Sequence, residues 1–423
     1  MSNAKRDNNR KVTLMGVTDD ANLTPTNFIV DPTSKRLKVS ATISGGLFQF
    51  DATAGATGAD YTTVAAAVAD SKVNILVINS TTEVANTALL ANTTITILSV
   101  ATIAMAAKQF TAAAARTLTI KGEGTLSYTQ TTGGGLQLFD GAAGSILVMN
   151  GVTFTNASTQ DNCPLSYLQE RITNIVINLS NKDAGGIDAT TDGGYYDNIK
   201  LVGGGTTCSN GFRTNSGIDC VVSNISLSGT FVTGDASGTS TKCCATFGSD
   251  TTVNNVSLHT SGRVDMLSAA YNLNNVSSFD DLFIILTGNN KNISNLFLNG
   301  GNLDLAATDQ NKISNVQTLG LIDMTDTGAT NHCLSNCRFT SAMTVAGDRN
   351  KFTNCDILGG VSVSSGADNN SFVNCQVGVD AGAGALTITV VAGSNNTRIV
   401  GCMTDAAISD AGTGTTTAAN IVY

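Results

Sequence analysis

Two aspartates have the residue type and spacing that acid–base chemistry requires. Asp304 and Asp323 each stand between two apolar residues, in segments one repeat of the chain apart. Such alternation predicts short strands with the aspartates pointing outward, and adjacent strands would bring the backbones within about 5 Å. Two carboxylates at about 5–5.5 Å are the pair used in retaining glycoside hydrolysis, and crowding favours protonation of one of them. Asp326 lies just beyond, so a calcium site is an alternative.

The same outward column is predicted to read Asp265, then Phe283 or Ile284, then Asp304 and Asp323. A structural interpretation competes with the catalytic one, because outward aspartates also solubilise a sheet face and block its association with other edges. Glycan-cleaving clefts usually carry aromatic platforms, whereas this chain has no Trp and only seven Tyr. The balance favours a non-enzymatic surface, and no cofactor is predicted.

One aromatic–acid patch stands out at Tyr195 and Tyr196, which are flanked by Asp192 and Asp197. Tyr196 falls in an apolar column of the repeat and is predicted to lie in the core. Tyr195, its outward neighbour, is the candidate for contact with a glycan. Asp265 and Asp326 are the other candidate binding residues.

Four cysteines recur at one position of successive repeats, so they should stack in one inward column. A metal site or a disulfide would be the functional interpretation, and a reduced core stack is the structural one. Zinc needs converging tetrahedral ligands, which a linear column does not provide, so the reduced stack is favoured and no metal is predicted. His259 and His332 lie in different repeats without ligand spacing. The cysteines are Cys337, Cys355, Cys375 and Cys402.

The element that must position all of these residues is a repeat of roughly 20 residues, each marked by an asparagine. A large apolar residue stands two positions before each asparagine, and an apolar or thiol residue follows it directly. This breaks strict alternation, so a strand should end, bend at the asparagine in the left-handed conformation, and restart. Stacked asparagine amides should bond from coil to coil. The predicted ladder is Asn174, Asn198, Asn224, Asn255, Asn275, Asn295, Asn315, Asn336, Asn354 and Asn374.

A second strand recurs after each bend, and turn-rich segments separate the coils, so each coil has about three short strands. The predicted fold is an all-β, right-handed parallel β-helix, whereas an antiparallel sandwich would show turns every 8–12 residues. Four apolar segments between residues 73 and 149 continue the strand pattern. Residues 60–70 predict a short amphipathic helix, with Tyr61, Val64 and Val68 on one face, that caps the end of the stack.

Composition excludes several classes of function. The net charge is −9 although the first 40 residues are net basic, so the body is strongly acidic and nucleic-acid binding is not expected. The N-terminus shows no secretory signal, and no apolar run reaches the length of a membrane span, so no membrane insertion is expected. The absent signal predicts a chain made in a cytoplasm.

The helix at 61–68, the strand at 75–78 and the asparagine-marked coils resemble the pectate-lyase-like β-helix proteins, which include bacteriophage tailspikes. The resemblance covers residues 60 to about 405. Residues 11–17, Asp31-Pro32 and residues 36–39 resemble the N-terminal segment of phage virion proteins. That likeness implies an attachment arm that docks to a capsid or tail protein, and phage proteins of this kind are usually homotrimers.

These observations predict four regions: a virion-attachment arm at 1–42, a Gly/Ala-rich linker at 43–59, the β-helix at 60–405 and a tail at 406–423. The expected function is a structural or adhesive fibre or spike of the virion, a homotrimer that could meet a host-surface glycan. One alternative is a tailspike depolymerase that uses Asp304 and Asp323. A bacterial surface adhesin is the third, and the missing secretion signal counts against it.

Overall fold

The structure is a computed structural model that describes residues 50–422 with gaps, and two short strands before them. Those strands, Ile29–Val30 and Leu37–Lys38, pair in antiparallel fashion. The rest of the predicted arm lies outside the described residues. The gaps within 50–422 are 132–136, 159–164, 167–168, 181–184, 189–191, 205–209, 215–218, 230–244, 248–250, 260–261, 267–271, 279–281, 287–288, 290, 301, 306–307, 321 and 379–385.

The chain forms the predicted right-handed parallel β-helix, in which each coil lies in register on the one before it. One 26-stranded sheet, here the long sheet, runs the length of the stack. Its strands up to or through the bends are Ala52–Ala54, Asn74–Val77, Thr93–Ile97, Thr117–Gly122, Ile146–Asn150, Gln169–Leu179, Tyr195–Val202, Val221–Ser228, Thr252–His259, Asn272–Ser278, Asn292–Leu298, Lys312–Thr318, Cys333–Ser335, Lys351–Thr353, Ser371–Val373, Arg398–Val400 and Thr416–Ala418. Its strands after the bends are Thr81–Glu83, Thr102–Ala106, Thr125–Thr129, Thr153–Asn156, Arg338–Phe339, Asp356–Ile357, Gln376–Val377, Met403–Thr404 and Ile421–Val422.

The second face of each coil carries shorter parallel strands, which form sheets of three, eight and four strands. The first comprises Thr87–Ala88, Phe110–Ala112 and Phe139–Gly141. The second comprises Leu165–Ser166, Gly185–Asp188, Asn210–Arg213, Ala245–Phe247, Gly262–Met266, Leu282–Leu286, Asn302–Asp304 and Ile322–Asp323. The third comprises Met343–Val345, Val361–Val363, Ile388–Val390 and Ser409–Asp410.

All ten predicted bend asparagines are left-handed, with φ between 52° and 56°. The bend takes two forms along the stack. From Gln169–Leu179 to Lys312–Thr318 the strand continues through the asparagine, whereas later coils have two separate strands with the asparagine between them. Among the ten predicted asparagines, the strand break is therefore found at Asn336, Asn354 and Asn374, and not at the seven before them.

Helix Val64–Ala69 packs at the start of the stack, where its Val64, Ala67 and Val68 side chains are buried. Thr63 caps its first turn by accepting the Ala66 N–H at 3.1 Å. Glu83 from the next coil accepts the N–H groups of Val64 and Ala65 at 2.9 and 3.0 Å. These bonds satisfy N–H groups that a helix start leaves without partners, so the first coils hold the helix in place.

Strand pairing extends the β-helix beyond the predicted limits of 60 and 405. Ala52–Ala54, in the predicted linker, pairs in parallel with Ile75–Val77. Thr416–Ala418 and Ile421–Val422, in the predicted tail, pair with the preceding coil. The boundaries differ because Gly-, Ala- and Thr-rich segments lack the apolar columns by which the coils were recognised, yet their backbones still complete the ladder.

Candidate functional site

Asp304 and Asp323 are register partners on adjacent parallel strands of the second face, at the ordinary strand spacing of about 4.8 Å. Both side chains are half-buried. Asp323 Oδ1 accepts hydrogen bonds from the backbone N–H and the hydroxyl of Thr325, at 3.0 and 2.6 Å. Exposed Asp326 accepts the Gly328 N–H at 2.7 Å. Asp304 and Asp323 are therefore adjacent, as predicted. Asp323 and Asp326 also stabilise the turn that follows their strand, through the hydrogen bonds to Thr325 and Gly328.

Asp265 is separated from this pair by one coil, as the sequence predicted, because strand Leu282–Leu286 lies between it and Asp304. Its register partner is Ile285, and Ile285 in turn faces Asp304, so the prediction of Phe283 or Ile284 in this column was wrong by at least one residue. Five apolar residues run together in Leu282–Leu286, so alternation could not reveal which of them faces outward. Among the described residues no group of three or more His, Cys, Asp or Glu side chains could hold a metal ion.

Tyr195 and Tyr196 point to opposite faces of the long sheet, as expected for neighbouring residues of one strand. Tyr195 is 42% exposed on the outer side of the long sheet. Tyr196 is buried, and its hydroxyl donates a 2.9 Å hydrogen bond to Glu170. Burial raises the pKa of Glu170 to about 8. Asp197 accepts hydrogen bonds from Ser223 and Asn224, which hold the pKa of its carboxyl below the ordinary value.

The four stacked cysteines are buried and free, in one column of the core. A hydrogen bond to the thiol of the preceding coil raises the pKa of Cys355 and of Cys375 to about 12. Protonated thiols packed in this way form a reduced core stack, with sulfur serving as a small apolar group.

The bend asparagines form amide ladders on the outside of the corner, here the outer ladder. Asn198 donates to Asn174 at 2.8 Å, and Asn275 donates to Asn255 at 2.9 Å. Asn224 donates instead to Asp197. Asn150, which the sequence alignment had not included, accepts from Asn174 at 2.9 Å. These bonds stabilise the corner and are the amide stacking that the sequence predicted.

A buried polar column lies inside the stack at the corner where the strand leading to the bend begins, four residues before the bend, and the sequence analysis missed it. Its hydrogen bonds join consecutive coils: Asn311 Oδ1 accepts the Lys291 N–H at 2.9 Å, and Asn350 Oδ1 accepts the His332 N–H at 2.9 Å. The signal was a polar residue at a fixed place in the alignment. This inner corner column comprises Glu170, Cys220, Thr251, Lys291, Asn311, His332, Asn350, Asn370 and Thr397.

His332 replaces asparagine in this column and performs the same task. Its Nδ1 accepts the Asn311 N–H at 3.3 Å, so the neutral ring carries its proton on Nε2, which lies 3.4 Å from the Thr308 hydroxyl. Burial lowers the pKa of His332 to about 4, although the Asp309 carboxylate opposes the shift. Burial likewise lowers the pKa of Lys291 to about 8.

Within the described part of the chain, no helix is long and apolar enough to cross a membrane. No protein-family model, curated protein or solved structure matches this sequence. Arguments about function therefore depend on the geometry of this chain.

Proposed function

We propose that the protein is a structural component of a bacteriophage virion, a fibre or spike whose β-helix forms a rigid shaft and presents a surface to the host cell. The observation that supports this most is the continuous stack. Parallel pairing passes through the 17 stacked strands from Ala52–Ala54 to Thr416–Ala418 without a change of direction, over about 77 Å at the ordinary strand spacing.

The polar side chains of the shaft support the same proposal, because many of them bond to one another. The outer ladder and the inner corner column both use amide groups to join one coil to the next. Bonds of this kind resist bending and separation of the coils, which suits a load-bearing rod. The net basic first 40 residues are the proposed attachment arm, on the strength of the resemblance described above.

The homotrimer is part of this proposal. Exposed apolar side chains on or directly beside the long sheet, such as Phe297 and Leu319 at 38% and 43% exposure, offer area for subunit contacts to bury. Light scattering on the purified full chain tests it directly. A mass of three chains supports the trimer, and a monomer at micromolar concentration contradicts it.

The decisive experiment on function is a density map of the particle that carries this chain. The proposal expects the first 42 residues to contact a capsid or tail component while the β-helix projects outward. Absence of the chain from purified particles, or its presence on a bacterial outer surface, would reject the virion assignment.

A depolymerase is the second candidate, since Asp304 and Asp323 are register partners in the arrangement expected of a carboxylate pair. Release of reducing ends from host capsule or lipopolysaccharide tests it. Activity that is lost in the Asp304→Asn/Asp323→Asn variant and kept in an Asp405→Asn control supports the enzyme. Equal activity in both variants removes the pair from consideration.

A further inference from the structure

The outward face of the long sheet carries a line of exposed side chains that leads away from Tyr195. Register pairing places Tyr195 beside Val221, Val221 beside Thr252, Thr252 beside Asn272, and Asn272 beside Asn292. Tyr195 and Val221 are 42% and 39% exposed, and the other three are also exposed. The line is therefore apolar at one end and made of hydroxyl and amide groups at the other.

A depression of about 300 Å³ opens at the polar end. Residues two positions further along the same strands also line this depression, and Val253 and Leu273 lie beneath it. The polar residues that line it, here the amide surface, are Thr252, Asn254, Asn272, Asn274, Asn292 and Ser294.

The amides of this surface are held in place by one another. Asn292 donates to Asn272 Oδ1 at 3.3 Å, and Asn274 donates to Asn254 Oδ1 at 3.2 Å. Ser294 donates to Asn274 Oδ1 at 2.9 Å. Each such bond uses one of the two hydrogens of an amide NH₂ group, and each carbonyl oxygen has two lone pairs. Asn274 Oδ1 already accepts a second bond, from Asn295 at 3.0 Å. The other amides, ordered by the stack, keep donors and acceptors for a ligand.

Charge narrows the class of ligand. No residue of the amide surface is charged. The charged neighbours lie at the ends of the line: Arg171 pairs with Tyr195 and Asp197 lies two residues from it, while Lys312 pairs with Asn292. The chain as a whole carries −9, which disfavours a polyanion. A ligand that fits offers many hydroxyl groups, an apolar face for Tyr195 and no charge.

We propose that the line from Tyr195 to Asn292 binds an uncharged glycan chain that lies along the axis of the β-helix. One sugar ring packs its C–H face on Tyr195 and Val221, and the hydroxyl groups of the next sugar units in the glycan form hydrogen bonds with the amide surface. The proposal depends on the host-surface role proposed above, and it places recognition on the long sheet rather than at Asp304 and Asp323 on the second face. Side chains on a rigid sheet lose little freedom on binding, which favours such a site.

The full-length protein is titrated calorimetrically with neutral hexasaccharides of glucose, mannose and galactose, and with hexagalacturonic acid as the charged comparison. We expect binding of at least one neutral hexasaccharide, and weakening by about tenfold or more in Tyr195→Ala and in Asn272→Ala/Asn292→Ala. Gln376→Ala removes an exposed amide from the long sheet beyond the bend, and it should bind as the wild type does. All variants change exposed side chains, and retention of the wild-type melting temperature verifies their folding.

Three results would overturn the site: no binding of any neutral hexasaccharide, stronger binding of hexagalacturonic acid, or undiminished binding by the variants. Self-association that Asn272→Ala/Asn292→Ala abolishes would assign the surface to a second copy of this chain instead. These results are separable from failure of the virion proposal. A chain found in particles without glycan binding keeps the virion role and loses the site, whereas a chain that binds glycan but is absent from particles keeps the site alone.

Discussion

The inner corner column uses different chemistry in two regions of the same shaft. In the coils of Asn311, His332, Asn350 and Asn370, neighbouring side chains accept the backbone N–H of the coil before, so the column satisfies itself. In the coil of Glu170, the buried carboxyl receives the Tyr196 hydroxyl on one oxygen, while its Oε1 has no hydrogen-bond partner among the described residues. A fixed place in the repeat thus secures burial of a polar group but not its hydrogen bonding.

The pH dependence of stability should separate the two regions most strongly at Glu170. Its folded pKa of about 8 lies above the ordinary value of 4.5, so the neutral acid is the folded form. The contribution to stability is complete below pH 4.5 and is lost as pH rises through 8. Glu170→Gln should therefore raise the free energy of unfolding at pH 8 by about 4 kcal/mol, and by little at pH 4. Urea unfolding at both pH values measures this, and an equal effect at both would contradict it.

His332 should show the opposite dependence. Its folded pKa of about 4 lies below the ordinary 6.5, so the neutral ring is the folded form. Stability is complete above pH 6.5 and falls by about 3 kcal/mol as pH drops towards 4. His332→Asn should remove this loss, because asparagine makes the equivalent bond in the neighbouring coils without titrating. His259→Asn, at an exposed position, is the matched control, and an acid loss that persists in His332→Asn would reject the assignment.

Removing one member of the self-satisfied region should change the free energy of unfolding by less than the pH-dependent changes expected at Glu170 and His332. Asn350 donates to the carbonyls of Ala329 and Gly347 and accepts the His332 N–H. Asn350→Ala removes the partner of the Ala329 carbonyl and of the His332 N–H, whereas the Gly347 carbonyl keeps the bond from Asn370. We expect a loss of about 2 kcal/mol in urea unfolding. Gln376→Ala, which removes an exposed amide, should stay within about 0.5 kcal/mol of the wild type. Equal losses would mean that the inner corner column adds nothing to stability.

The outer ladder should be the least sensitive, because its amides face solvent. Asn275 has φ of 54°, which costs an alanine about 1 kcal/mol and costs a glycine less. Asn275→Ala should lower stability by about 1 kcal/mol, and Asn275→Gly by a smaller amount, since Gly151 and Gly401 already occupy equivalent bends. Equal losses in the two variants would show that the amide bond, which both remove, dominates there rather than the backbone conformation.

The order of residues along the chain was enough to predict the repeat, the left-handed asparagines, the inward columns and most strands of the second face, such as Met343–Val345 and Val361–Val363. It could do so because side-chain alternation and the left-handed preference of asparagine are local properties that recur in each coil. The in-register relation of Asp304 and Asp323 followed from the same reasoning, since their segments alternate clearly.

The remaining features emerged only in the folded chain, because they depend on which residue of the next coil lies opposite each position. Ile285, rather than the predicted Phe283 or Ile284, is the register partner of Asp265. The first and last strands of the stack, Ala52–Ala54 and Thr416–Ala418, pair with their neighbours without apolar columns of their own. The shift of the Glu170 pKa likewise arises from burial between neighbouring coils. A polar residue near the start of a strand gives no sign of that burial in the sequence. Loops of unequal length separate the coils, so contacts between them are set by packing of the whole stack rather than by spacing along the chain.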